Sequence, residues 1–174
     1  LSTVIQFVNE KGICLSKYGD VGYGEMVRSD KYSGNEKFND ELLKRSYKVL
    51  KALIDRNNIN HITHVPSLRS KLVEDFTKRL ANSLGINYVS TLAKREAKPQ
   101  KAMQNSNYQY QNAFESFYVN NQNNIPKKLI LVDDIVDSKW TLTVCGYLLM
   151  KEGCEAVYPF ALADSSTQED ENGN

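Results

Sequence analysis

Residues 129–143 read Leu-Ile-Leu-Val-Asp-Asp-Ile-Val-Asp-Ser-Lys-Trp-Thr-Leu-Thr, and no other stretch constrains the chain as much. Four consecutive aliphatic residues, Leu129, Ile130, Leu131 and Val132, predict a strand buried on both faces. Two adjacent carboxylates, Asp133 and Asp134, stand at its end. Asp137 and Ser138 then open a short polar turn, and Thr141 starts an amphipathic run. Open α/β sheets bind ligands beyond the carboxyl ends of their strands. The N–H groups of such a turn, with the positive end of the next helix, favour a phosphate. Two carboxylates beside a phosphate pocket call for a ligand that uses both, such as a sugar diol, or for a bound cation such as magnesium. A ribose 5-phosphate meets that description.

The remaining chain alternates predicted strands and helices, which implies an α/β fold with a parallel sheet and right-handed crossovers. Residues 1–35 are punctuated by Gly12, Gly19, Gly22, Gly24 and Gly34. Short strands over 3–8 and 12–16 are expected there, with turns over the rest. Asn39 or Asp40 caps a helix with Leu42, Leu43, Tyr47, Leu50, Leu53 and Ile54 on one face. A strand over 62–65 ends at Pro66. A second helix carries Leu72, Val73, Phe76, Leu80 and Leu84 and stops at Gly85. Residues 86–89 make another strand, 94–112 a polar, basic, Gln- and Asn-rich segment, 113–119 an apolar patch, and 120–128 a loop. After the opening motif come a helix with Leu142, Cys145, Leu148 and Leu149 inward, stopped by Gly153, and a last strand over 156–162. Residues 164–174 are acidic and aperiodic, and disorder is expected.

At 174 residues the chain can bury one substantial core. A net charge of +1 gives no global case for nucleic acid or membrane binding, and no apolar run approaches a membrane span. Cys14, Cys145 and Cys154 lack CxxC spacing and read as reduced thiols of a cytoplasmic protein. The chain begins at Leu1, without Met, which suits a domain excised from a longer polypeptide or a trimmed terminus.

Competing readings of the acid pair fail on their partners. A Walker B pair needs a GxxxxGK[ST] loop, and the chain has none. Receiver domains carry such acids near their start, with a phospho-acceptor Asp far downstream that this sequence does not supply. His61 and His64 would point to opposite faces of a strand, which does not suit a shared metal. The segment from Lys94 to Tyr110 could form a basic patch for single-stranded nucleic acid, with Tyr108 and Tyr110 as stacking platforms.

The order Asp133-Asp134-Ile135-Val136-Asp137-Ser138-Lys139-Trp140-Thr141 resembles the ribose 5-phosphate motif of type I phosphoribosyltransferases, departing only at Lys139, where that family has Gly. The resemblance implies a parallel sheet flanked by helices with a small N-terminal hood. It divides the chain into a hood over 1–38, a core over 39–163 and a tail over 164–174. Phosphoribosyl binding would fall to Asp133, Asp134, Asp137, Ser138, Lys139, Trp140 and Thr141, with Asp137 as catalytic base. Ser67, Leu68, Arg69 and Ser70 would hold pyrophosphate. Lys94, Arg95, Gln100 and Lys101 would belong to a mobile loop, and Asp133 and Asp134 would hold Mg2+ directly or through water. Ligands would be phosphoribosyl diphosphate or a nucleotide, and a homodimer is admissible. Four stretches, residues 18–24, 65–69, 99–106 with Asn112, and 133–143, are further similar to the phosphoribosyltransferase-like C-terminal domain of bacterial RecQ-type helicases, related to ComF competence proteins. That likeness implies contact with DNA through a parent helicase. Within it the domain is either a phosphoribosyltransferase or a non-catalytic sensing or docking module.

Overall fold

The computed structural model describes residues 8–96, 106–120, 124–137 and 140–165, with the side chains of 106–109 outside that description. Five strands form a parallel sheet in the order β1-β7-β6-β2-β3. They are β1 (Ile13–Cys14), β2 (His61–His64), β3 (Asn87–Tyr88), β6 (Lys128–Val136) and β7 (Ala156–Asp164). Two further strands, β4 (Leu92–Lys94) and β5 (Phe117–Val119), pair antiparallel as a separate ribbon. Helices α1 (Tyr23–Tyr32), α2 (Asp40–Asn57) and α3 (Leu72–Leu84) belong to one side of the sheet. Helices α4 (Ser106–Ser116) and α5 (Trp140–Lys151) lie with the ribbon on the other. The expected α/β architecture, a parallel sheet flanked by helices, is what the chain adopts.

Two apolar layers explain why every aliphatic residue of the central strand is needed. Ile130 and Val132 join Phe38, Leu50, Phe76 and Leu80 on one face, and Leu129 and Leu131 join Val144, Cys145 and Leu149 on the other. All four strand residues are fully buried, as a strand covered on both sides requires. Thr63 of β2 and Thr91, just before the ribbon, share a buried hydroxyl–hydroxyl hydrogen bond of 2.8 Å that ties the ribbon to the sheet.

Several boundaries follow the local chemistry. Asn39 caps α2, its Oδ1 accepting the Glu41 N–H at 2.8 Å. Gly85 ends α3 with φ 68, a left-handed conformation that costs glycine nothing. Other expectations need correction. Residues 23–32, read as turns, form α1. The turn before this helix passes so close that a Cβ at Gly24 would collide with the Lys17 carbonyl. The strand expected over 12–16 shrinks to Ile13–Cys14, and that expected over 3–8 lies outside the described residues apart from Val8. The apolar patch at 113–119 is divided between the end of α4 and β5. The signature strand does not stop at Val132. Its ladder with β7 runs on to Val136↔Asp164, so both acids lie within the strand. Asp164 and Ser165 thereby leave the predicted tail, Ser165 N–H donating to the Val136 carbonyl at 2.8 Å. The tail's later residues, 166–174, lie outside the described residues.

Candidate functional site

The chain leaves β2 toward β3 on one side of the sheet and leaves β6 toward β7 on the other. The connection after β2 runs through α3 on one face, and that after β6 through α5 on the opposite face. The carboxyl ends of β2 and β6 therefore open onto a crevice at the point where strand order reverses, the standard ligand position in open α/β sheets. A cleft of about 500 Å3 lies there, a volume suited to a small ligand. It gathers Pro66, Ser67, Arg69 and Ser70 after β2, Asp133, Asp134 and Asp137 from β6 onward, Thr141 of α5, Lys94 of the ribbon, and Asn112, Ser116 and Phe117.

The turn after β2 is shaped by its own hydroxyls. Ser67 Oγ accepts the N–H groups of Arg69 at 3.2 Å and Ser70 at 3.3 Å, and Ser70 Oγ accepts the Leu72 N–H at 3.2 Å. The loop is thus folded onto the amino terminus of α3 with the exposed Arg69 at its tip, ready to fork onto phosphate oxygens.

The acids are organised along the strand. Asp133 Oδ1 accepts the Asp134 N–H at 2.8 Å, and Asp134 Oδ1 accepts the Ile135 N–H at 2.7 Å. Burial, followed by the neighbouring Asp134 charge, raises the Asp133 pKa well above the usual carboxylate range. Lys31, from the last turn of α1, reaches over and places Nζ 3.0 Å from Asp134 Oδ2. Burial pulls the Lys31 ammonium down, but the charge and hydrogen bond of Asp134 outweigh it and hold its pKa above the ordinary lysine value. Asp137 is exposed and accepts from Ser165 Oγ at 3.3 Å.

Among the described residues no group of three or more His, Cys, Asp or Glu could enclose a metal. The chain instead offers two adjacent oxygen donors. Magnesium takes such a pair together with waters and substrate phosphates, but here Asp134 Oδ2 is already held by Lys31 and burial opposes ionisation of Asp133, so the pair as it stands does not fit a bound magnesium.

The cleft brings together Ser67, Arg69, Ser70, Asp133, Asp134, Asp137 and Thr141. Lys94, expected in a mobile loop, lies instead in strand β4 and also lines the cleft. Leu68 instead faces a neighbouring hollow beside His64 and Tyr88. Trp140 is not among the residues that line the cleft. It packs edge-on to Tyr110 with ring centroids 5.3 Å apart, holding α4 against α5. Arg95 turns to the carbonyls of Glu115 and Phe117, bracing the ribbon. Ser138, Lys139, Gln100 and Lys101 lie outside the described residues. His64 hydrogen-bonds Tyr88 Oη through Nε2 at 2.9 Å and the Val65 carbonyl through Nδ1 at 3.0 Å, which commits both ring nitrogens and leaves the metal reading of the histidines without support. The sequence reading missed Lys31 and Ser116. A basic residue in the last turn of α1 was the only available signal.

A second hollow of about 480 Å3 lies on the outer side of α2, lined by Tyr23, Lys44, Arg45, Tyr47 and Lys48. It sits at no strand end, and its one acid, Glu41, is paired with Lys44 at 3.2 Å. The chemistry belongs to the first cleft.

No family model matches the sequence, and no curated protein does. Solved structures do match. An adenine phosphoribosyltransferase aligns with TM-score 0.47 and 20% identity, covering 74% of this chain and 81% of that one. The Saccharomyces cerevisiae adenine phosphoribosyltransferase, complexed with an imino-altritol bisphosphate and adenine, gives 0.47 and 21%, covering 72% and 70%. A hypoxanthine-guanine phosphoribosyltransferase from Bacillus anthracis gives 0.48 and 19%, covering 72% and 70%.

Proposed function

We propose that the cleft binds phosphoribosyl diphosphate, or a nucleotide sharing its ribose 5-phosphate. The observation that supports this reading is the placing, at one switch-point crevice, of the Asp133–Asp134 carboxylates beside the hydroxyl-shaped turn at Ser67 to Ser70 and beside Thr141 at the start of α5. Residues 137–141 would take the 5-phosphate through their N–H groups and the Thr141 hydroxyl. Pro66 to Ser70, with Arg69, would take the diphosphate. Asp133 and Asp134 would take the ribose hydroxyls. A magnesium ion accompanying the diphosphate would reach Asp133 and Asp134 only by displacing Lys31 from Asp134. The first 38 residues would act as a hood, reaching the site through Lys31.

Transfer of the phosphoribosyl group to a nitrogen nucleophile is the reaction such an arrangement suits. As diphosphate departs, positive charge develops at C1′ and the ring oxygen, and nearby carboxylates stabilise it electrostatically. Asp137, exposed at the cleft and held by Ser165, would accept the acceptor's proton. A sensing module that binds without turnover is the second reading, and the Lys31–Asp134 ion pair, which already engages one acid, favours it. Membership of a RecQ-type helicase chain, with its DNA contact, is a further proposal resting on the four sequence stretches alone. ATP-dependent DNA unwinding by the full-length parent chain would test it.

Calorimetric titration of phosphoribosyl diphosphate into the wild type and Asp133→Asn/Asp134→Asn tests the reading. Saturable binding that the double variant loses is expected. A wild type that takes up no ligand, or a double variant that binds equally well, would refute it. Pyrophosphate release with a nitrogen acceptor separates enzyme from sensor.

A further inference from the structure

Lys31 is not a surface lysine that happens to lie near an acid. Its helix is fixed in place: Val27 is fully buried in the core, and α1 adjoins both β7 and α2. The buried Asp30 carboxylate accepts the Asn39 N–H at 2.7 Å and an Asn35 amide N–H at 3.0 Å. From that anchored helix the lysine extends into the cleft, where its ammonium meets Asp134 Oδ2 at 3.0 Å. Both side chains are largely withdrawn from solvent, at 31% and 15% exposure. Asp134 Oδ1 is meanwhile occupied by the Ile135 N–H. A cation approaching Asp134 from the ligand side thus meets a carboxylate whose charge is already countered.

We propose that Lys31 is a resident cation of this site. It counters the Asp133–Asp134 pair in the place a divalent metal would take, so that a phosphoribosyl ligand binds without magnesium. The ligand half rests on the phosphoribosyl reading of the cleft; the cation half rests on the ion pair alone. An ammonium carries three donors, so Lys31 can hold Asp134 and still donate to a ligand oxygen, the bridging role a metal would otherwise fill. The exclusion is mutual, because a metal bound at Asp134 must displace the lysine.

The test uses the full chain as wild type, Lys31→Gln and Lys31→Arg. Mn2+ binding is followed by electron paramagnetic resonance without ligand, and phosphoribosyl diphosphate binding by calorimetry with EDTA or with Mg2+. Lys31→Gln should bind Mn2+ roughly tenfold or more tighter than wild type, as expected when a unit positive charge beside the carboxylates is removed. The wild type should bind the diphosphate equally well in EDTA and Mg2+. Lys31→Gln should lose binding in EDTA and regain it in Mg2+, and Lys31→Arg should keep metal-free binding. Unchanged Mn2+ affinity in Lys31→Gln overturns the resident cation. A wild type that binds the diphosphate only with Mg2+ overturns metal-free binding and leaves the phosphoribosyl reading standing. Absence of diphosphate binding under both conditions overturns that reading and the ligand half with it, while the Mn2+ arm still decides the role of Lys31.

Discussion

Asp133 and Asp134 are joined through the backbone as well as by adjacency: the Asp134 N–H donates to Asp133 Oδ1 at 2.8 Å inside a continuous strand. This bond fixes the first carboxylate against the chain, where burial and the second carboxylate's charge make its ionised form costly. The fold therefore holds a carboxyl whose ionisation its surroundings oppose, and carboxyls held this way cluster at functional sites.

That cost has a definite sign with pH. A carboxyl whose folded pKa exceeds its unfolded value gives the fold an advantage at acid pH, and the advantage is lost as pH rises through the folded pKa. Asp133→Asn keeps an acceptor for the Asp134 N–H and removes the charge. Its melting temperature should exceed that of the wild type at neutral pH, and the gap should close below the ordinary carboxylate range. Thermal unfolding at acid and neutral pH measures both. A variant less stable than wild type at neutral pH would contradict the burial of this charge.

The turn that carries Arg69 and the start of α5 should be separable. Arg69 is exposed at the tip of the first, so Arg69→Ala should leave stability within about 0.5 kcal/mol. It should weaken phosphoribosyl diphosphate while sparing ribose 5-phosphate. Thr141→Val should weaken both ligands. Parallel calorimetry with the two ligands checks the split, and equal losses for Arg69→Ala would mean that Arg69 does not serve the diphosphate.

The Thr63–Thr91 bond should behave as a buried pair. Replacing either threonine with valine strands the other hydroxyl and should cost about 1–3 kcal/mol, whereas replacing both should be nearly neutral. Urea unfolding of the two single variants and the double variant gives the coupling directly.

Gly146 of α5 lies under Asn9, whose Nδ2 donates to the Leu142 carbonyl at 2.9 Å, and a Cβ at position 146 would collide with the Asn9 amide. Gly146→Ala should destabilise the fold by about 1–3 kcal/mol. Adding Asn9→Ala should recover part of that loss. Urea midpoints for the single and double variants measure it.

How far the sequence could be read depended on where each signal was encoded. Leu129 to Val132, the Leu72-to-Leu84 spacing and the Gly85 stop are local patterns, and they placed the central strand, α3 and the sheet class. Asp133, Asp137 and Arg69 were legible because each stands at or just past the end of an apolar run in the sequence. Helix α1 was not. Glycines crowd its start, and of its ten residues only Gly24, Val27 and Asp30 are buried, which leaves almost no apolar stripe to detect. Lys31 was hidden for the same reason, since its partner Asp134 is defined only once α1 packs on the sheet. The continuation of β6 through both acids depends on its ladder with β7, a long-range pairing that no window around the motif contains.

The most direct test of the phosphoribosyl site is a titration of ribose 5-phosphate into isotope-labelled protein, followed by amide chemical shifts. Saturable shifts at Asp133, Asp134, Asp137 and Thr141 are expected, with phosphoribosyl diphosphate extending them to Ser67, Arg69 and Ser70. Shifts confined to Lys44, Arg45 and Lys48 on α2, or no shifts at all, would contradict a phosphoribosyl site at the ends of β2 and β6.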